Sequence, residues 1–399
     1  MALHRSLPPV WLLGFGFLPL GVNGSIMLIT LPQLLAADHV PEVQIAAITS
    51  LALAPGFFSF LLAPLLDWRF ARRSWAIALS VLSAAATVAA LLLIKNLSLL
   101  PVAVFVSSFS AYLVAAAAGG WFGNLIQTGD KMRLGAWLAV ANIASGGVAA
   151  TVAIPLLRDL PYALGAGLLG LLLLSATPVF WFTRCPPADG RLARESFADF
   201  ARDVAALMRR PSVLWTLFLF VTPATSFALT NILGGLGHDF HTSEKMVGLL
   251  GGVGVTLAGI GGSLLIPRLS PHVAPRPLYL WVGGVGALFS LGLTLAPRSP
   301  AAFGLALMGE NVFQAAAFSV SNLIILRTIG EDNPLAATQF GLLMAASSAP
   351  LTYMQILDGQ AYGLGGANGA FTADALVSGG VCLALAAILF VLRRRIPVV

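Results

Sequence analysis

Charge is scarce in this sequence. Only 10% of its 399 residues are Asp, Glu, Lys or Arg, where soluble domains carry about 25%. A soluble fold of this length could not clothe its surface with so few charges, which excludes a soluble enzyme and a nucleic-acid binder. Cysteine is nearly missing too: Cys185 and Cys382 are too few for a disulfide framework. His4, His39, His238, His241 and His272 all fall in stretches that read as loops or as the N-terminal tail, so no metal site is expected, with a metal held by His238, Asp239 and His241 on the outer face as the alternative to a solvated loop. No nucleophile, base and orienting group stand together in a pattern that points to catalysis. The long apolar stretches lack polar–apolar alternation, which argues against an outer-membrane barrel.

What the sequence does have is apolar residues, 58% of the total. They gather in twelve runs, from 9–36 at the start to 371–392 at the end, and a helix needs roughly 20 such residues to cross a bilayer. The expected class is an all-α polytopic membrane protein with 12 transmembrane helices. The first run far exceeds the core of a cleavable signal and reads as the first span. The net charge of +6 belongs to topology rather than to nucleic acid. Of the 22 Lys and Arg residues, only Lys95, Arg158, Lys245 and Arg298 fall in one set of alternate connections, and the other 18 fall in the opposite set. Basic residues mark cytoplasmic segments, so the N- and C-termini are both expected in the cytoplasm.

The longest connection divides the runs six and six. The expected organisation is an N-terminal six-helix half (1–183), a cytoplasmic linker (184–211) and a C-terminal six-helix half (212–399). Within the linker, Phe197, Phe200, Val204 and Leu207 recur at helical spacing beside Asp199, Arg202, Asp203 and Arg209. That pattern predicts an amphipathic helix lying along the membrane face.

Three segments carry a family resemblance. Ala63-Pro64-Leu65-Leu66-Asp67-Trp68-Arg69-Phe70-Ala71-Arg72-Arg73 resembles the signature loop of the major facilitator superfamily, an acid followed by a short basic run. It departs from that pattern in having Trp68 after the acid and no glycine. Its Ala-Pro-Leu-Leu-Asp form looks like the AmpG-like permeases of the peptide/acetyl-CoA/drug transporter branch. So do Ala337-Thr338-Gln339-Phe340-Gly341-Leu342-Leu343 and the stretch from Leu236 through Glu244 and Val247-Gly248-Leu249 to Gly262. RhtX/FptX-type siderophore permeases, compact twelve-span members, are the close alternative. The resemblance implies the major facilitator fold and a substrate site at the midplane between the halves, lined by spans 1, 4, 7 and 10.

A carrier needs a polar seam, because polar groups facing lipid are costly. At about 100° per residue, Glu310, Gln314 and Ser321 share one face of span 10, flanked by Asn311 and Asn322. Asn23, Thr30 and Gln33 share a face of span 1, and Thr222, Thr225, Ser226 and Thr230 a face of span 7. Span 4 offers Ser108 and Tyr112, with Trp121 and Asn124 near its inner end. These are the expected cavity residues, with hydrogen bonding between helices as the plainer alternative. A carboxyl that passes between dry and wet surroundings exchanges its proton. Glu310 is therefore the expected proton-coupling residue, with a contact to a cationic group or a structural role as its rivals. The proton gradient is then the energy source, with no cofactor.

Asp67 reads as a gate residue. Asn333-Pro334 opens span 11 as a cap and first-turn proline, and the resemblance places Asp67 near that helix end. Arg69, Arg72 and Arg73 could then pair with Glu331 or Asp332. Asp358, at the outer end of span 11, reads as a loop acid or an outer gate. The glycine pairs Gly252/Gly254 and Gly283/Gly284 lie inside spans, so they are read as packing positions and not as nucleotide loops. The expected function is proton-coupled uptake of a medium-sized polar organic solute, muropeptide-like or a siderophore. The setting is a bacterial-type inner membrane, and the partners are a small-molecule substrate and the lipid bilayer, with the chain acting as a monomer. Export of drug-like or lipidic compounds, and a non-translocating receptor or accessory subunit, are the alternatives.

Overall fold

The computed structural model describes residues 7–68, 70–184 and 197–395. Every regular element among them is helical. Helix α1 (Val10–Ala37) is distorted at a 3₁₀ turn, Phe15–Phe17, and at a wide turn, Ile26–Thr30. Pro19 and Pro32 explain both places, since each proline ring clashes with the carbonyl four residues earlier. Helices α2 (Glu42–Leu61), α3 (Arg72–Leu92), α4 (Leu100–Leu125), α5 (Lys131–Asp159) and α6 (Tyr162–Phe182) follow through short connections. The linker helix α7 (Phe197–Met208) forms as its spacing predicts. Phe200 and Leu207 are buried, and Trp68 stacks on Phe200 with ring centroids 6.4 Å apart. Residues 185–196 of the expected linker lie outside the described residues.

The seventh apolar run is not one helix. Helix α8 (Pro211–Val221) bends 60° away from α7 and stops. A 3₁₀ turn, Pro223–Thr225, follows, and Phe227 takes a left-handed φ of 45° before α9 (Leu229–Leu233) resumes. Pro223 cannot donate a backbone hydrogen bond, which makes a break here inexpensive. Helices α10 (Glu244–Leu269), α11 (Pro275–Leu293) and α12 (Pro300–Ile329) come next. The last helical stretch, Ala336–Arg395, is broken at Gly365 and at Gly366, whose φ of 59° and ψ of −153° suit only glycine. It therefore comprises α13 (336–364) and α14 (367–395). Among the described residues, nine helices are long and apolar enough to cross a membrane, or ten with the bent pair, with Ala336–Val391 counted once.

The chain forms two compact units. The first is Met1–Leu214 together with Ile325–Ala345, and the second is Trp215–Ile324 together with Ala346–Val399. Inside the first, α1 and α5 touch backbone to backbone. A Cβ on Gly21 would stand 2.0 Å from the carbonyl oxygen of Asn142. Inside the second, a Cβ on Gly283 of α11 would stand 1.9 Å from the carbonyl oxygen of Ala224. Glycine at these crossings allows the close approach that membrane helices use in place of a hydrophobic driving force.

Candidate functional sites: a polar clamp and a buried acid cluster

The first unit contains a polar clamp around the segment Ile325–Ala345. Asp67 ends a 3₁₀ stretch, Ala63–Asp67, and Arg72 begins α3. Both side chains are buried, and Arg72 Nε donates to Asp67 Oδ1 at 2.6 Å. The Asp67 carboxylate also accepts the backbone N–H of Ala337 at 3.2 Å, that of Thr338 at 2.7 Å and the Thr338 hydroxyl at 2.7 Å. These N–H groups belong to the first turn of α13, where no carbonyl of the helix can reach them. The cap is thus supplied by Asp67 and not by Asn333. Asn333 Oδ1 instead accepts the N–H of Leu335 at 2.9 Å, closing a turn ahead of the helix.

More donors grip the same segment. Arg72 Nη2 donates to the carbonyls of Asn333 and Pro334 at 3.2 and 2.6 Å. Asn124 Nδ2 donates to Asn333 O at 2.7 Å, and Asn124 Oδ1 accepts from Asn333 N at 3.2 Å. Lys131 is 1% exposed, and its Nζ donates to Leu326 O at 3.0 Å and to Gly330 O. Those carbonyls close the C-terminal end of α12, where Gly330 adopts φ 79° as a left-handed cap. A cation there complements the helix dipole. Glu331 accepts from Thr128 N and Oγ1 at 3.2 and 2.9 Å, its hydrogen-bond partner among the described residues. Arg73 is half-buried at the start of α3, and Arg69 lies outside the described residues.

The second unit contains three buried acids. Glu310 on α12 is 0% exposed, Asp358 on α13 is 0% exposed and Asp374 on α14 is 2% exposed. Ser290 Oγ, on α11, lies 2.6 Å from Glu310 Oε1 and 3.1 Å from its own helix's Gly286 O. Glu310 Oε2, both carboxyl oxygens of Asp358 and Asp374 Oδ1 have no hydrogen-bond donor among the described residues. The charges of Asp374 and Asp358 both reach Glu310. Asp358 is therefore not a loop acid. Its helix runs on to the Gly365–Gly366 break, past the end of the apolar run, and carries the carboxyl into the packed interior.

The expected cavity residues separate into different settings. Asn23 donates to Thr87 Oγ1 at 3.3 Å and to Ser107 Oγ, tying α1 to α3 and α4. Thr30 is buried, while Gln33 is exposed. Ser108 is buried, and the Tyr112 hydroxyl lies over Gly56. Thr222 Oγ1 donates to Leu219 O at 2.7 Å, Thr225 is half-buried, and Ser226 is buried. Asn311 Nδ2 donates to Leu307 O at 2.8 Å within its own helix. Gln314 Nε2 donates to Thr230 Oγ1 at 2.6 Å and to Phe227 O at 3.4 Å, so it spans the break in the seventh run. The stripe on α12 thus faces two neighbours: Glu310 meets α11, and Gln314 meets the 227–230 segment.

Two residues of these sites escape a reading of the sequence. Lys131 reads there as one more basic residue of an inner loop, although it heads α5 and is buried. Asp374 hides in the first turn of an apolar run. Its spacing of four from Ser378 and eight from Cys382 marks one polar face of α14, the signal that could have found it.

The profile of the Major Facilitator Superfamily matches residues 13–349. Solved structures of similar fold include a bacterial homologue of the iron transporter ferroportin in an outward-facing state, with 16% identity and TM-score 0.63, covering 96% of this chain and 98% of that one. The human organic anion transporter MFSD10 (TETRAN) matches with 17% identity and TM-score 0.67, covering 96% and 100%. A structure of the E. coli fucose:proton symporter FucP matches with 15% identity and TM-score 0.65, covering 95% and 97%. At such identities the likeness speaks for the fold alone. No curated protein matches the chain. An all-helical chain with span-length apolar helices, matched over most of its length by one family profile, belongs to the Major Facilitator Superfamily.

Proposed function

We propose that this multi-pass membrane transporter couples the uptake of a medium-sized polar organic solute to protons, by the alternating access that its superfamily fold implies. The observation that carries the reading is Glu310. It is a wholly buried carboxyl in the middle of a span-length helix, with one oxygen on a serine hydroxyl and the other without a donor. A carboxyl placed so gains or loses a proton when its surroundings change from dry to wet, which is the elementary event of proton coupling.

The clamp supplies the second half of the reading. Asp67, Arg72, Asn124 and Lys131 hold the α12–α13 connection at the end that charge bias assigns to the cytoplasm, so they act as the cytoplasmic gate. The same bias supports an even number of crossings with cytoplasmic termini; the reading adds twelve spans in halves at 1–183 and 212–399, and a monomer in a bacterial-type inner membrane. Muropeptides and siderophores are the cargo classes to try first. In proteoliposomes with an imposed inward proton gradient, radiolabelled muropeptides and ferric siderophores are each offered as substrate. Gradient-dependent accumulation of one of them supports the reading, and accumulation that ignores the gradient overturns it.

A further inference from the structure

The three acids of the second unit lie at one level of it. An apolar plug occupies the end where the α9–α10, α11–α12 and α13–α14 connections meet, built around Phe240, Phe303, Phe371, Leu293 and Leu307. Four helices pass from this plug to a polar group within one turn. Leu293 ends α11 and sits one turn from Ser290. Leu307 is one turn from Glu310, Phe371 is one turn from Asp374, and Tyr362, packed on the plug, is one turn from Asp358. The acids therefore share a layer directly beneath an apolar seal.

Among the described residues, the charged groups that reach these acids are other acids. The electrostatic neighbours of Glu310 are Asp374 and Asp358, and that of Asp358 is Asp374. Arg298 stands across the plug, its guanidinium 4.6 Å from the centre of the Phe240 ring and donating to Asn368. Asp239 is the electrostatic neighbour of Tyr362 there. On the far side Tyr279 is buried, Cys382 donates to Ala224 O at 3.1 Å, and the Tyr353 hydroxyl donates to Val221 O at 2.7 Å. Four carboxyl oxygens in the layer lack any donor, and so does the buried Ser378 hydroxyl, one turn further along α14 from Asp374. Like charges within electrostatic reach of one another in a dry setting resist being ionised together. Among the described residues no cluster of acids, histidines or cysteines has the spacing of a metal site.

We propose that Glu310, Asp358 and Asp374 form one shared proton site, in which occupancy of each carboxyl depends on the other two. The inference rests on the proton-coupled reading and deepens it, replacing a single carrier residue with a three-carboxyl unit. Ser290 accommodates both states of that unit. When Glu310 is ionised, the Ser290 hydroxyl donates to Oε1. When Glu310 holds a proton, Glu310 donates to Ser290 Oγ and the serine proton turns to Gly286 O. Glu310 Oε1 and Ser290 Oγ keep their hydrogen bond in either state, so the proton can come and go at that contact without unpacking α11 from α12.

The test is a pH titration of the purified protein in lipid vesicles, followed by the infrared C=O stretch of protonated carboxylic acids. Wild type, Glu310→Gln, Asp358→Asn, Asp374→Asn and the triple variant are compared, with Ser290→Ala as a milder perturbation should an acid variant fail to fold. The proposal predicts that each single variant removes one band and moves the midpoints of the remaining bands by about one pH unit or more. It predicts that the triple variant loses the whole set and that Ser290→Ala displaces the Glu310 band. Single variants that leave the other midpoints in place, or a triple variant that keeps the bands, would overturn it. No transported solute is needed, so failure of the flux assay and failure of the shared site are told apart.

Discussion

Asp67 and Thr338 are 271 positions apart in sequence and joined by two hydrogen bonds of 2.7 Å, one from the threonine N–H and one from its hydroxyl. A helix that begins two residues after a proline borrows its cap from a different helix's approach. The same carboxylate holds Arg72, so cap and ion pair are one unit.

Asp67→Ala should therefore loosen the clamp severely. Removing one member of a buried ion pair costs about 3–5 kcal/mol because the other charge is left uncompensated. Hydrogen exchange over 333–345 should speed up, with Ala337 and Thr338 most affected. Exchange unchanged from wild type would mean that the carboxylate does not hold this segment.

Lys131→Met should release the opposite end of the same segment. Its ammonium closes two carbonyls at the C-terminus of α12, an arrangement worth up to about 2 kcal/mol where partly buried. The expected result is faster exchange across 329–333 with little change at Thr338. If Lys131 served orientation alone, the variant would exchange as wild type does.

Gly120→Val tests packing rather than charge. A Cβ at Gly120 would stand 2.4 Å from the backbone nitrogen of Ala337, and overpacking of this kind typically costs about 1–3 kcal/mol. A lower unfolding temperature in detergent is expected, together with faster exchange at the start of α13. A wild-type melting curve would contradict the close approach of α4 and α13.

Asn23→Leu separates structure from binding. Asn23 ties α1 to Thr87 and Ser107, and a hydrogen bond between membrane helices is worth about 0.6 kcal/mol on average. A small loss of thermal stability is expected, with the apparent affinity for transported solute unchanged. A large rise in KM at normal stability would return Asn23 to the cavity.

The sequence made the all-helical membrane class and two of the buried carboxyls legible, because apolar runs and isolated polar residues are one-dimensional signals. Glu310 stands out as an acid within a span, and Asp67 as the acid of a signature loop. Helical period tells which residues share a face but not which neighbour that face meets. Asn23 was legible as a polar residue, yet only packing gives it Thr87 and Ser107 as partners. Asp358 looked like a loop acid because the polar Asp358-Gly359-Gln360 follows an apolar run, whereas α13 continues through it to the Gly365–Gly366 break. Lys131 and Asp374 were hidden for opposite reasons, one among loop charges and the other among apolar residues. The breaks at Phe227 and Gly366 depend on left-handed backbone angles that composition does not announce.

The most direct test of the central claim is solute-driven proton movement through wild type and Glu310→Gln. Proteoliposomes carry a trapped pH-sensitive dye, and the muropeptide or siderophore accumulated by wild type is added outside without an imposed gradient. The account predicts that wild type acidifies the lumen as solute enters. It predicts that Glu310→Gln abolishes the acidification while still exchanging labelled for unlabelled solute across the membrane. Acidification by Glu310→Gln at the wild-type rate and with the wild-type pH profile would contradict it.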